Sequence, residues 1–306
     1  MVNHIIKTSG LTKTFGDITA VDHLNLEVYE GEMFGIVGPD GAGKTTLIRM
    51  LCGVTDSTSG NAKIIGHDLQ TELDSIKNNI GYLSQRFSLY GDLSIDENIE
   101  FFAEIHHVKD YHQRREELLE FTRLAPFRKR LADRLSGGMK QKLALACTLI
   151  HMPKIIFLDE PTTGVDPVSR RDFWKILSSL LKSGITIVMT TPYLDEAERC
   201  TRIGLMNNGY LMIADTPRNV KEKMKGTIYE VVCDKIRNAY STAKDSTEIK
   251  EVQIFGDRLN LIVENPDEDR QSLLDIFKSK NIEITHIRII PPTLENVFIS
   301  LIKTGA

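Results

Sequence analysis

The chain has 306 residues, of which 41% are hydrophobic and 26% are charged, and its formal net charge is −4. This composition is typical of globular chains with one large domain or two smaller ones, and it provides no overall positive field to attract nucleic acid. No apolar run approaches the roughly 18 residues that span a bilayer, and the first residues lack the apolar stretch of a signal peptide, so we expect a cytoplasmic protein that something else would have to hold at a membrane.

Strand patterns dominate the beginning of the chain. Leu24, Leu26 and Val28 alternate with polar residues, which favours β structure in the first 30 residues. Three later runs are almost continuously apolar, as in parallel strands buried on both faces: 34–37, 155–158 and 185–189. Helical patterns separate these runs, so the core is predicted to be α/β with a mostly parallel sheet.

A complete phosphate-binding loop, G-x-x-x-x-G-K-[ST], follows the first apolar run. It consists of Gly38, Pro39, Asp40, Gly41, Ala42, Gly43, Lys44, Thr45 and Thr46. Its glycines let backbone N–H groups surround phosphate oxygens, Lys44 can reach the β- and γ-phosphates, and the Thr45 hydroxyl can bind Mg²⁺. The alternative is an ordinary glycine turn before a helix. Such a turn does not require every fixed position of the motif, and here all of them are present between a strand and a helix. The sequence therefore predicts binding of a nucleoside triphosphate.

The residues from about 87 to 150 show helical periodicity and little strand signal, which indicates a helical insertion between strands of the sheet. Within it, Ser136 is a good N-cap, and Gly137 and Gly138 allow close approach of an anion to the helix start. A plain capped helix is the alternative for this short motif. His106 and its neighbours lack the spacing of metal ligands and are predicted to lie at the surface.

The apolar run at 155–158 ends in two acidic residues, Asp159 and Glu160. An acid at the carboxyl end of a strand beside a phosphate loop can hold Mg²⁺ through water, and that role suits Asp159. Glu160, one residue later, could orient or deprotonate a water molecule. A solvated strand end is the alternative, but the phosphate loop at 38–46 favours the metal site.

The pattern changes after about residue 220. We predict a nucleotide-binding domain over 1–220 and a small α+β domain over 226–306, separated by the charged stretch that starts at Lys221. In the small domain, strands are predicted at 227–233, 250–255, 258–264 and 282–290. One helix is predicted with Asn265 as its N-cap, and another from Thr293.

Taken in order, the phosphate loop, Leu-Ser-Gly-Gly and strand-Asp-Glu resemble the ATPase subunits of ABC transporters, over residues 11 to about 215. The resemblance implies a P-loop NTPase core with an N-terminal antiparallel β subdomain, the helical insertion and the small C-terminal domain. It also implies three roles: Phe15 stacks on adenine, Gln85 touches Mg²⁺ and the attacking water, and Asp166 lies in a loop that crosses a dimer interface.

The same resemblance implies a mechanism and partners. Two ATP molecules would be held in a head-to-tail pair of ATPase subunits, identical or related, each between the loop of one subunit and Ser136–Gly138 of the other. Membrane-spanning permease subunits would hold the pair at the inner face of the cell membrane. In the family, a short permease helix sits in a groove, which would lie here at Phe87, Leu89, Tyr90 and Leu93. Core packing is the alternative for these residues. The C-terminal tail resembles those of exporter ATPases for drugs, sodium ions or polysaccharides.

The sequence departs from the family pattern at two positions. Met139 replaces a glutamine at the end of the signature, where we expect little loss. Pro192 stands where a histidine normally contacts the γ-phosphate, and proline has neither a side-chain donor nor an N–H group. We expect Thr191 to cap a helix that begins at Pro192, and hydrolysis to be slower than in relatives with the histidine.

Two other functions stay open at this stage. One is a soluble ABC ATPase that acts on ribosomes or DNA, although the first kind usually joins two ATPase halves and the second carries a long coiled-coil insert. The other is an ATP-gated clamp with weak hydrolysis, which Pro192 favours.

Overall fold

The computed structural model describes residues 3–85, 89–264 and 266–304. The chain divides into two compact units, Met1–Asp215 and Thr216–Ala306, so the division falls a few residues before the boundary that the sequence suggested. Phe87, which was predicted to line a groove, and Asn265, which was predicted to cap a helix, lie outside the described residues.

The first unit contains two sheets and a group of helices within its described residues. Its strands are β1 (His4–Phe15), β2 (Ile18–Leu24), β3 (Glu27–Tyr29), β4 (Met33–Val37), β5 (Ser59–Ile64), β6 (His67–Asp68), β7 (Ile80–Leu83), β8 (Ile155–Asp159), β9 (Thr186–Thr191), β10 (Arg202–Asn207) and β11 (Tyr210–Asp215). Its helices are α1 (Lys44–Leu51), α2 (Leu73–Lys77), α3 (Ile95–Ile105), α4 (Tyr111–Thr122), α5 (Gly137–Leu149), α6 (Pro167–Lys182) and α7 (Leu194–Ala197).

A six-stranded sheet forms the centre of this unit, in the order β11-β10-β4-β9-β8-β7. Strands β10, β4, β9, β8 and β7 are paired in parallel, and β11 is antiparallel at one edge. Every residue of β4, β8 and β9 is buried, as their continuous apolar runs predicted. Because parallel strands end at the same edge of a sheet, the segments after these three strands meet there.

The second sheet confirms the predicted N-terminal antiparallel subdomain. It has the order β2-β1-β5-β6, with β3 also paired to β1, and all of these pairs are antiparallel. The helical insertion consists of α3, α4 and α5. Helix α3 begins with a reciprocal capping box, in which Ser94 and Glu97 each bond to the other's backbone N–H.

The second unit is a four-stranded antiparallel sheet with helices, which confirms the predicted α+β character. Its elements are α8 (Pro217–Glu222), β12 (Thr227–Cys233), α9 (Ile236–Lys244), β13 (Glu251–Phe255), β14 (Arg258–Val263), α10 (Pro266–Ser279), β15 (Ile284–Ile290) and α11 (Leu294–Thr304), with strand order β13-β14-β12-β15. The sequence missed α9, because this short helix lacks a side-chain cap and its only fully buried residues are Ala239 and Ala243. No helix in the described part of either unit is both long and apolar enough to cross a bilayer.

Candidate nucleotide-binding site

The loop between β4 and α1 accepts only glycine at three positions. Gly41 and Gly43 have φ values of +80° and +99°, in the left-handed region that side chains disfavour. A Cβ atom on Gly38 would lie 2.1 Å from the Met206 carbonyl oxygen, and one on Gly43 would lie 2.1 Å from the Ala20 carbonyl oxygen. The motif glycines are therefore required by the shape of this loop.

The Lys44 side chain is folded back into the loop and is only 4% exposed. Its Nζ donates hydrogen bonds to the carbonyl oxygens of Gly38 (2.8 Å) and Pro39 (3.0 Å) and lies 3.5 Å from Oε1 of Glu160. The ammonium group is thus buried among acceptors at the mouth of the loop, where an anionic ligand could replace the two carbonyls.

Asp159 is fully buried at the end of β8. Its Oδ1 accepts hydrogen bonds from the hydroxyls of Thr45 (3.0 Å) and Thr190 (2.7 Å), whereas its Oδ2 has no partner among the described residues. A buried carboxylate oxygen without a partner is costly, and oxygen atoms of this kind are the ligands that Mg²⁺ prefers. The donor set of Asp159 and Thr45 therefore fits this cation.

Glu160 has a φ of +48°, which is uncommon for a residue with a side chain. Its backbone N–H donates to the Thr190 hydroxyl at 2.9 Å, which holds this turn. Its Oε2 accepts from Gln85 Nε2 at 3.1 Å and from the Thr163 hydroxyl at 3.4 Å. The turn after β8 thus places the Glu160 carboxylate between Gln85 and Lys44. Backbone strain of this kind costs about 1–3 kcal/mol and is often found at functional sites.

A cavity of about 630 Å³ unites most of these groups. It is lined by Phe15, Ala20, Asp40, Gly41, Ala42, Gly43, Lys44, Thr45, Thr46, Gln85, Glu160, Thr163, Pro192 and Tyr193. Phe15 is 51% exposed, and the Lys13 ammonium group lies over its ring, 4.9 Å from the centroid. The structure therefore brings together the phosphate loop, Gln85, Glu160 and Phe15, with Pro192 in the same wall.

The signature residues lie elsewhere on the chain. Ser136 caps α5 and accepts a hydrogen bond from the Met139 N–H (3.4 Å), and a Cβ atom on Gly138 would lie 2.4 Å from Cβ of Ser169 in α6. Asp166 caps α6, and its hydrogen bonds to Ser169 lower the pKa of its carboxyl group. None of Ser136, Gly137, Gly138 and Asp166 lines the cavity described above. One chain therefore presents two separate surfaces.

The segment after β9 differs from the expectation. Helix α7 begins at Leu194 rather than at Pro192, and Thr191 does not cap it. Instead, the Thr191 hydroxyl accepts a hydrogen bond from the Tyr193 N–H at 3.0 Å and donates one to Oε2 of Glu196 at 2.8 Å. The predicted cap was wrong because the Thr191 hydroxyl is used by the Tyr193 N–H and by the buried carboxylate of Glu196. Pro192 therefore lies in the turn before the helix.

Sequence reasoning also missed two residues of this region. Thr190 bonds to both Asp159 and the Glu160 backbone, and Glu196, which lies in the first turn of α7, is buried. For Thr190, the signal was a pair of threonines at the end of an apolar strand. For Glu196, the sequence did not indicate burial, because Thr162 and Arg170, which face its carboxylate, lie 34 and 26 residues away along the chain.

The predicted permease groove is only partly described. Leu89 is half-buried beside Phe102, in a small cavity of about 40 Å³. Tyr90 is 46% exposed, and its ring packs edge-on against Phe101 with the centroids 4.4 Å apart. Leu93 is half-buried. These residues combine core packing with some exposed apolar surface.

Comparisons with known proteins agree with this geometry. Residues 21–163 match the sequence profile of the family described as "ABC transporter", and residues 216–302 match "ATP-binding protein DrrA1-3-like, C-terminal domain". The chain is 43% identical to the probable multidrug ABC transporter ATP-binding protein YbhF of Escherichia coli (strain K12), over 71% of this chain but only 38% of YbhF.

Two further matches extend the comparison. The daunorubicin resistance ATP-binding protein DrrA3 of Streptomyces coeruleorubidus is 33% identical over 98% of this chain and 96% of its own length. The ATP-binding cassette MJ0796, solved as a dimer in a post-hydrolysis state with ADP and Pi, matches with a TM-score of 0.63 and 28% identity, over 69% of this chain and 98% of its own.

Proposed function

We propose that this chain binds Mg²⁺ and ATP in the 630 Å³ cavity and hydrolyses ATP in a head-to-tail dimer. The chain belongs to the family of ABC transporter ATP-binding proteins and is therefore an ATPase. The observation that supports this proposal most strongly is the convergence of Lys44, Gln85 and Glu160 on one cavity at the phosphate loop. The YbhF match covers a minor part of that relative, so the activity and partners of the whole YbhF protein are carried over only as part of this proposal.

The geometry of the loop supports the proposed nucleotide binding. The N–H groups of the loop and the first turn of α1 would surround the β- and γ-phosphates. The Lys44 ammonium group would exchange the carbonyls of Gly38 and Pro39 for phosphate oxygens. Phe15, which is exposed at the cavity, would stack on the adenine ring.

The metal site would be formed by the Thr45 hydroxyl, Gln85 and, through water, Asp159. The unpaired Oδ2 of Asp159 supports this assignment. A bound Mg²⁺ would neutralise the charge that develops on the phosphate oxygens.

Hydrolysis depends on a correctly placed water molecule. Glu160 would accept a proton from this water, and Gln85, which bonds to the same carboxylate, would help to orient it. Lys44 lies 3.5 Å from Glu160, so the positive charge that would bind the γ-phosphate is next to the proton acceptor.

A second subunit would complete the site. Ser136, Gly137, Gly138 and Asp166 lie outside the cavity of their own chain, and a head-to-tail pair would bring them to the nucleotide of the partner. The start of α5 would then present Ser136 and backbone N–H groups to phosphate. ATP would favour the closed dimer by mass action, and hydrolysis would weaken it.

The relatives suggest how this ATPase is used. YbhF and DrrA3 are named for multidrug transport and daunorubicin resistance, which supports an export complex with membrane-spanning permease subunits at the inner face of the membrane. A second candidate is an ATP-gated clamp with weak hydrolysis. It is favoured by Pro192, which lines the cavity without offering a side-chain donor.

The test combines two substitutions with the parent protein. Glu160→Gln should bind ATP as the parent does, lose about 100-fold or more in turnover, and elute as a dimer with ATP in size-exclusion chromatography. Lys44→Ala should weaken ATP binding about 10- to 100-fold. Parent-like hydrolysis by Glu160→Gln would remove its assigned role. Negligible turnover by the parent with ATP-dependent dimerisation would favour the clamp, and cofractionation of a co-expressed permease with the chain would favour the exporter.

A further inference from the structure

A buried carboxylate lies next to the proposed active site without lining its cavity. Glu196 in α7 is only 1% exposed. Its Oε1 accepts a hydrogen bond from the Thr162 hydroxyl, and its Oε2 accepts one from the Thr191 hydroxyl at 2.8 Å. The Arg170 Nε in α6 lies 3.7 Å from Oε1. One carboxylate thus joins three segments: the loop after β8, the turn after β9 and helix α6.

This arrangement is more than the helix itself requires. A buried carboxylate is costly unless it is paired and hydrogen-bonded, and here both oxygens accept from hydroxyls and one also faces a guanidinium group. Helix α7 has four residues, so its own stability does not explain a buried acid. Its partners Thr162 and Thr191 do not line the cavity themselves, but each is adjacent in sequence to residues that do, in two walls of the cavity: Thr163 in the first, and Pro192 and Tyr193 in the second.

The first wall follows Glu160. Thr162 is two residues after Glu160, and the adjacent Thr163 donates its hydroxyl to Oε2 of Glu160 at 3.4 Å. The Arg170 guanidinium also donates to the Thr162 carbonyl at 3.5 Å. A shift of Thr162 would therefore be transmitted to the residue proposed to activate water.

The second wall is the turn that contains Pro192 and Tyr193. The Thr191 hydroxyl accepts a hydrogen bond from the Tyr193 N–H and donates one to the Glu196 carboxylate. The same carboxylate therefore sets the position of this turn. The Arg170 guanidinium lies over the Tyr193 ring at 5.2 Å. Because Pro192 has no side-chain donor, this turn can affect the cavity only through the position of its atoms. That position depends on Thr191 and Glu196.

We propose that Glu196 is a positioning residue that aligns the loop carrying Glu160 with the turn carrying Pro192, through Thr162 and Thr191. The inference rests on the proposed ATPase function. It predicts that loss of Glu196 lowers kcat more than it lowers nucleotide affinity, because the phosphate loop and Phe15 are not among the contacts of Glu196.

The test measures kcat, the dissociation constant for ATP and thermal unfolding for a set of variants. Glu196→Ala should lower kcat about tenfold or more while the dissociation constant changes less than about threefold, since small displacements of catalytic groups cost large factors in rate. Glu196→Gln, which keeps one carbonyl acceptor, should lose less. The matched control is Asp195→Asn, which removes a carboxylate charge from an exposed position in the same turn and should retain the parent kcat.

Threonine variants keep the test decisive if Glu196→Ala does not fold. Thr162→Ser and Thr191→Ser retain the hydroxyls and should retain kcat, whereas Thr162→Val and Thr191→Val should lower it. A kcat for Glu196→Ala, or for both valine variants, within twofold of the parent would overturn the proposal. The proposal would also be overturned if kcat fell only in proportion to the fraction of variant protein that still binds ATP. An inactive parent would instead count against the proposed function.

Discussion

The Thr45 hydroxyl donates a 3.0 Å hydrogen bond to Oδ1 of Asp159, which connects the first turn of α1 with the end of β8. The same Oδ1 also accepts from Thr190 at 2.7 Å, and Oδ2 is left without a partner among the described residues. Two hydroxyls therefore fix the orientation of the carboxylate, and Oδ2 is the oxygen that we propose accepts from water on a bound cation.

Asp159→Asn should raise the Mg²⁺ concentration needed for half-maximal ATP hydrolysis about 10- to 100-fold, because an amide NH₂ at the position of Oδ2 cannot accept a hydrogen bond from metal-bound water. The measurement is a Mg²⁺ titration of turnover at saturating ATP. Thr45→Ser serves as the matched control, since it keeps the hydroxyl and should behave like the parent. An unchanged Mg²⁺ requirement in Asp159→Asn would contradict the metal assignment.

Pro192→His should increase steady-state turnover about tenfold or more, because it adds a side-chain donor to the cavity wall where charge develops on the γ-phosphate. Pro192→Ala is the control, since it removes the ring and restores the backbone N–H without adding a side-chain donor, and it should stay near the parent rate. Equal turnover in the parent and in Pro192→His would show that this position does not limit hydrolysis.

Adjacent glycines in α5 should respond differently to substitution by alanine. A Cβ atom on Gly138 would lie 2.3 Å from Oγ and 2.4 Å from Cβ of Ser169, so Gly138→Ala should lower the free energy of unfolding by about 1–3 kcal/mol. Gly137 has open space around it, so Gly137→Ala should leave stability within about 0.5 kcal/mol or raise it slightly. Chemical denaturation measures both values.

The Gly137→Ala variant also distinguishes an effect on packing within the chain from an effect on contact with the partner subunit. Gly137→Ala should still impair ATP-dependent dimerisation, because the added methyl group would face the partner's phosphates. If Gly137→Ala dimerised with ATP as the parent does, the start of α5 would not approach a nucleotide as closely as proposed.

A pair of histidines should make stability depend on pH. The His106 ring stacks on that of His151 with centroids 3.9 Å apart, and burial together with His151 and His107 lowers the pKa of His106 to about 4. The predicted surface position of His106 is thus only partly correct, since it is half-buried. In the unfolded chain its pKa is about 6.5, so the unfolded state binds more protons between these values.

The free energy of unfolding should therefore decrease as the pH falls from about 6.5 towards 4, and this contribution should level off below the folded pKa. His106→Gln removes the titrating ring and should reduce the slope. Urea denaturation at several pH values measures it. A slope that was the same in His106→Gln and in the parent would exclude this histidine as the cause.

Much of the architecture could be predicted from the sequence because its signals are local. The buried parallel strands were visible as continuous apolar runs, and the phosphate loop is a single uninterrupted segment whose glycines the backbone requires. The resemblance to a known family added Phe15 and Gln85, which lie far from the loop in sequence but line the same cavity. Helix α9 was missed because no side-chain cap marks its start, although Ile236, Ala239, Tyr240 and Ala243 follow helical spacing and pack on the core of the second unit.

The sequence by itself indicated the motif residues, the buried apolar strands and the change of pattern between the two units, since each depends on neighbours along the chain. Only the tertiary structure decided that Asp159 is oriented by Thr45 and Thr190, and that Glu196 is buried between Thr162 and Thr191. The physical reason is that a buried carboxylate is stabilised by donors from distant segments, and the sheet brings those segments to one edge.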